Sequence, residues 1–148
     1  MRRVAIRPIG PDDEADWRRL WTEYLAFYET RLDQRVYRAA FERLCGDDPH
    51  DHHGLVALVD GRPAGLVHFL FHRHLWRVEN VVYLQDLYVE PAARGLGAGR
   101  ALIEAVYAAA DSARCPSVYW LTQDFNHTAR KLYDAVGEIT PFIKYQRG

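Results

Sequence analysis

Apolar and polar positions change their period several times along this chain, and each change marks an element. Val4 to Arg7 alternates and stops at Pro8, the pattern of a short first strand. Pro11-Asp12-Asp13-Glu14 then opens a helix, because acids suit the first turn, where the peptide dipole is positive. From there Trp17, Leu20, Trp21, Tyr24, Leu25 and Tyr28 recur at helical spacing. A second helix is predicted over Gln34 to Cys45, with Val36, Tyr37, Ala40, Phe41 and Leu44 on one face. The polar run from Gly46 to Gly54 ends it. Leu55 to Val59 is an apolar strand, Asp60-Gly61 a hairpin turn, and Pro63 to Phe71 the returning strand. Arg73 to Arg77 is a loop. Asn80 to Val89, rich in β-branched and aromatic residues, is a long strand closed by Pro91.

The second half reads as a glycine-rich turn (Arg94 to Gly99) and then a helix from Ala98 to Ala110 with Leu102, Ile103, Val106 and Tyr107 on its apolar face. A strand follows over Ser117 to Thr122 and a helix over Asn126 to Val136, with Gly137 as its cap. A last strand is predicted over Glu138 to Tyr145. The order βααβββαβαβ, with both hairpin and crossover connections, places residues 1–148 in one α+β domain built on a mixed sheet of about six or seven strands. It differs from a dinucleotide fold, which repeats strand and helix from the start.

Composition narrows the function only a little. The 148 residues are 49% apolar and 26% charged, with nineteen Lys and Arg against twenty Asp and Glu. This balance gives no bulk charge for nucleic acid or a membrane surface. No apolar run approaches the ~20 residues of a membrane span, and the N-terminus has no signal-peptide core, so the expected setting is the cytoplasm. Cys45 and Cys115 read as free buried thiols. The run Asp47 to His53 holds three histidines and three aspartates but reads as a solvated loop, and no metal site is expected.

The chemistry concentrates after the long strand. In Arg94-Gly95-Leu96-Gly97-Ala98-Gly99-Arg100 three alternating glycines lead directly into a helix. The first amides of a helix have no intrahelical acceptor and sit at the positive end of its dipole, which makes an anion site. Glycine lets a phosphate approach without a Cβ in the way, and Arg94 and Arg100 are candidate charged partners. The Gly-Lys-Ser/Thr ending of a P-loop is absent.

Arg94 to Gly99 matches the Arg/Gln-x-x-Gly-x-Gly/Ala signature, Tyr83-Leu84-Gln85-Asp86-Leu87-Tyr88-Val89 resembles a central strand, and Asn126-His127-Thr128-Ala129-Arg130-Lys131-Leu132-Tyr133 resembles a later Asn-x-x-Ala-x-x-x-Tyr helix. All three belong to the GNAT family of N-acetyltransferases, and the resemblance spans nearly the whole chain. It implies the acetyltransferase fold, with helices on both faces of the sheet, and acetyl-CoA as co-substrate. By resemblance, backbone groups of Leu87, Tyr88 and Val89 pair with the pantetheine arm in a splay of the sheet. Arg94, Gly95, Leu96, Gly97, Ala98, Gly99 and Arg100 hold the pyrophosphate, and Asn126 faces the arm.

Acetylating an amine from a thioester needs a neutral amine, a polarised carbonyl and a proton or hydrogen bond for the leaving thiolate. Tyr133 stands seven residues from Asn126, about two turns, so the two share a helix face, and the resemblance implies that Tyr133 is the acid. The polyamine-acetylating relatives carry an acidic pair within a Tyr-Leu-Glu-Asp run. Here Gln85 replaces the first acid and Asp86 is kept, so Asp86, Glu79 or ordered water activates the amine. Period two places Asp86 with Tyr88 and Gln85 with Leu87, unless a bulge intervenes. Tyr24, Tyr28, Trp76, Glu79 and Gln85 are the expected acceptor contacts, since rings and carboxylates suit a cationic amine. A small-molecule amine is the expected substrate, a lysine or N-terminal amine of a protein the alternative, and a non-enzymatic cofactor-binding module the third reading. A homodimer is expected through the C-terminal strands.

Overall fold

The computed structural model describes residues 2–148. β1 (Val4–Pro8) leads through a short turn into α1 (Glu14–Phe27) and α2 (Gln34–Leu44). Then come β2 (His53–Val59), β3 (Arg62–His72), β4 (Val81–Val89), α3 (Ala98–Ser112), β5 (Val118–Tyr119) and α4 (His127–Val136). The sheet order is β1-β2-β3-β4-β5, antiparallel throughout except for the parallel β4–β5 pair. The Asp60-Gly61 turn behaves as its dipeptide predicts: both residues have positive φ, 52° and 83°, as a two-residue turn of the right twist requires.

Alternation along the strands sends neighbouring residues to opposite faces. Val56, Leu66 and Tyr88 face α1 and α2 and pack with Trp17, Leu20, Trp21, Leu25, Tyr37 and Phe41. Ala57, Val67, Phe69, Val82 and Leu84 face α3 and pack with Leu102, Ile103, Val106 and Ala110, and Leu132, Tyr133 and Val136 of α4 lie against the same cluster. Arg19 ties α1 to the end of the sheet, donating to Glu90 at 2.7 Å and to the Pro63 carbonyl at 2.9 Å.

One irregularity sets the course of β4. His68 pairs with Asp86 but Phe69 pairs with Leu84, so Gln85 is an extra residue in the ladder. Because of it, Leu87 and Val89 return to the α3 face occupied by Val82 and Leu84. Asp86 and Tyr88 turn to the other face. In an unbroken strand, Leu84 and Asp86 would share a face and the carboxylate would point into the α3 core.

Several expectations are corrected. Among the described residues the sheet has five strands rather than six or seven. The strand expected over Ser117 to Thr122 shortens to Val118–Tyr119, and Glu138 to Tyr145 forms no strand. Ile139, Phe142, Ile143 and Tyr145 are instead 76–89% exposed. A strand exists only when paired; β5 offers a two-residue edge, and Pro141 lacks a donor. Val36 and Cys45 are exposed, while Cys115 is buried. Gly137 closes α4 with an extended backbone rather than a left-handed one, its N–H donating to the Tyr133 carbonyl. No helix among the described residues is long and apolar enough to cross a membrane.

Candidate active site

Beyond Tyr83, β4 has no strand on its β5 side, because the two pair only at Val82–Val118 and Tyr83–Tyr119. The opening is a cleft of about 460 Å³. Leu87, Tyr88 and Val89 form one wall and Asn126, Thr128, Ala129, Leu132 and Tyr133 the other. The glycine-rich turn lies across one end, and Tyr24, Phe27 and Tyr28 of the α1 region close over it.

At the turn, Gly95 and Gly97 take φ of 81° and 83°, a left-handed backbone that costs other residues strain. Gly97 is also the cap of α3, whose first bond runs from the Ala101 N–H to the Gly97 carbonyl at 3.0 Å. The amides of Ala98, Gly99 and Arg100 therefore precede the helical ladder at the positive end of a fifteen-residue helix. This is a fitting cradle for a pyrophosphate. Arg94 donates from Nε to the Val89 carbonyl at 3.1 Å, which holds its guanidinium at the cleft. Arg100 also lines the cleft while pairing with Glu104 at 2.9 Å. Leu96 does not line it: its side chain packs beside Val59, Ala64 and Ala93.

The opposite wall is set by its cap. Asn126 accepts the Ala129 N–H at 3.3 Å and starts α4 there. Two turns on, Tyr133 enters the same cleft, its ring edge-on to Trp120 at 5.6 Å. Burial, with a smaller contribution from Tyr28, pushes its hydroxyl up to about 12, so it keeps its proton throughout the neutral range.

The acidic side lies behind the bulge. Asp86 is buried, and its Oδ2 accepts the Nδ1–H of His68 at 2.8 Å; His68 Nε2 in turn accepts the Trp17 indole N–H at 3.0 Å. Burial and the charge of Asp86 both raise Tyr24 well above the ordinary tyrosine range, and Tyr28 rises for the same two reasons. The sequence reading did not single out His68, and it placed Trp17 simply in a core stripe. The available signal was a histidine in the middle of the otherwise apolar strand from Pro63 to Phe71.

The remaining expected contacts divide. Tyr24 and Tyr28 line the cleft. The Tyr88 ring packs with the α1–α2 core and its hydroxyl donates to Glu23 at 2.8 Å. Gln85 is exposed beside the bulge, its Oε1 accepting from His52 Nε2 at 2.6 Å. Trp76 is 84% exposed, and Glu79 pairs with Arg77 at 3.4 Å; neither lines the cleft. Both precede β4, and Leu87 lies about 20 Å along that strand from its first residue.

Comparison with known proteins agrees with this architecture. The model of the acetyltransferase (GNAT) family matches residues 15–137. The chain is 40% identical over 147 residues to the D-amino-acid N-acetyltransferase of Saccharomyces cerevisiae, covering 98% of this chain and 91% of the relative. It is 32% identical over 148 residues to the thialysine N-epsilon-acetyltransferase of Bos taurus, covering 93% and 85%. A solved structure of the aminoglycoside N-acetyltransferase AAC(6')-Iy with a bisubstrate analogue has the same fold, with a TM-score of 0.84 at 22% identity over 99% of this chain and 98% of the other. The chain belongs to the acetyltransferase (GNAT) family.

Proposed function

We propose that this enzyme moves the acetyl group of acetyl-CoA directly onto the primary amine of a small molecule. The observation that carries the reading is that one cleft holds both the bared amides of Ala98 to Arg100 and the side chains of Tyr24, Tyr28 and Tyr133. The amides and Arg94 bind the pyrophosphate, and the strand edge at Leu87 to Val89, where no neighbouring strand pairs, receives the pantetheine arm. A backbone N–H near Leu87 polarises the carbonyl, Tyr133 gives its proton to the departing thiolate, and Asp86 receives the proton of the amine. The cleft is open rather than filled by side chains, which supports an enzyme over a passive module.

The acceptor is a small amine of the amino-acid or polyamine kind. The named activities of the two curated relatives support this, and the aromatic side chains of Tyr24, Phe27 and Tyr28 at the cleft suit a cationic amine. The free thiols suit a reducing cytoplasm. The exposed apolar tail from Ile139 to Tyr145 suits pairing with a second copy. The test is acetyl transfer across a panel of D- and L-amino acids, lysine analogues, polyamines and peptides. Free small amines are expected to turn over fastest, and turnover confined to peptides would reverse the assignment.

A further inference from the structure

The geometry points to His68 as a positioning residue that holds Asp86 in the orientation in which it meets the acceptor amine. This rests on the role proposed above for Asp86. His68 and Asp86 are register partners across β3 and β4, and the bulge at Gln85 lies immediately beside them. They are 4% and 9% exposed, so each needs a polar partner inside the fold.

The chemistry of the third member assigns the proton. An indole N–H only donates, so His68 Nε2, which faces Trp17 Nε1 at 3.0 Å, must accept. The ring proton is therefore on Nδ1, where it is donated to Asp86 Oδ2 at 2.8 Å. Taking a second proton on Nε2 would break the Trp17 bond and set two donors against each other. The part this leaves to His68 is to orient the carboxylate.

What it orients is a carboxylate without a cation. Among the described residues no Lys or Arg pairs with Asp86; His68 takes its Oδ2, and the Tyr24 hydroxyl is a second hydrogen-bonding neighbour of the carboxylate. The groups that feel its charge are the hydroxyls of Tyr24 and Tyr28 on the α1 side and Tyr83 on its own strand. Asp86 does not itself line the cleft, but Tyr24 and Tyr28 do, and an ammonium group arriving among their rings supplies the missing positive charge.

The test uses the intact enzyme and three substitutions. Asn at position 68 keeps an N–H near where Nδ1 stood, whereas Phe removes it, and both lose the Trp17 contact. His68→Phe is expected to lower kcat by about 10- to 100-fold, His68→Asn to restore most of that loss, and both to bind coenzyme A in calorimetry as the parent does. Asp86→Asn is expected to be nearly inactive. If Asp86→Asn turns over like the parent, the role of Asp86 fails and this inference with it. If Asp86→Asn is inactive but His68→Phe is unaffected, or the Phe and Asn variants are equally slow, Asp86 keeps its role and His68 loses its own. Nitrogen-15 NMR of the parent enzyme gives a reading that no folding defect can blur. A proton on Nδ1 of His68 is expected, and one on Nε2 would overturn the proposal.

Discussion

The carbonyl oxygen of Tyr88 lies 2.8 Å from where a Cβ on Gly65 would sit. Gly65 is the register partner of Val89, so the last residues of β4 press onto β3 at the one place where β3 has no side chain. A side chain there would push this end of β4, which is also a wall of the cleft, away from β3. Gly65→Ala must displace backbone. It is expected to destabilise the fold by about 1–3 kcal/mol and to weaken coenzyme A binding. Thermal denaturation and calorimetry measure both; parent-like values would show that the close approach does not set the strand's position.

Tyr133→Phe removes the hydroxyl and keeps the ring against Trp120. If Tyr133 protonates the thiolate, kcat falls by about 100-fold or more while coenzyme A affinity is unchanged. Single-turnover kinetics beside a binding titration separates the two, and a fall in affinity alone would make Tyr133 a binding residue.

Gly97 and Gly99 differ in what a methyl group would do. At Gly97 a Cβ meets nothing within 4 Å, but φ is 83°, so alanine pays only in backbone strain, about 1–2 kcal/mol. That strain falls on the cap of α3, and the affinity for coenzyme A is expected to drop. At Gly99 φ is not in the left-handed region and a Cβ would touch Leu132 Cδ2 at 3.4 Å, a contact the side chain can yield to. Gly99→Ala is therefore expected to be the milder variant in the same titration, and the reverse order would contradict the anion-cradle reading.

Alkali tests the buried tyrosines. Burial pushes Tyr133 and Tyr88 up to about 12, and Tyr24 rises further still. In the unfolded chain a tyrosine titrates near 10. Between about pH 10 and 12 the unfolded chain therefore binds fewer protons than the folded one, and stability falls as pH rises. Below pH 10 these groups contribute no slope. Denaturant unfolding at pH 9 and pH 11, with tyrosinate absorbance as the second probe, is expected to show the loss, and Tyr133→Phe to show a smaller one.

Much of the fold was legible because its signals are local. The Asp60-Gly61 turn and the periodic faces of α1 and α3 are each decided within a few residues, by dihedral preference or by the spacing of apolar side chains. The order of elements followed from them. The final strand was misread because Phe142 to Tyr145 has strand-like residues but no pairing edge to join. Trp76 and Glu79 were misplaced because residue type suggested amine contacts, while their distance along β4 from the cleft depends on the path of the chain.

The amino-acid order alone determined the bared amides at the start of α3: alternating glycines before a long helix yield them wherever that helix lies, since dihedral freedom and the helix dipole act over one turn. The buried acid behind Tyr24 was decided only in three dimensions. His68 and Asp86 are 18 residues apart and Trp17 is 51 from His68. They meet because one surplus residue in β4 turns a carboxylate away from one core toward the other, and side-chain parity after a bulge is a property of the paired sheet rather than of either strand.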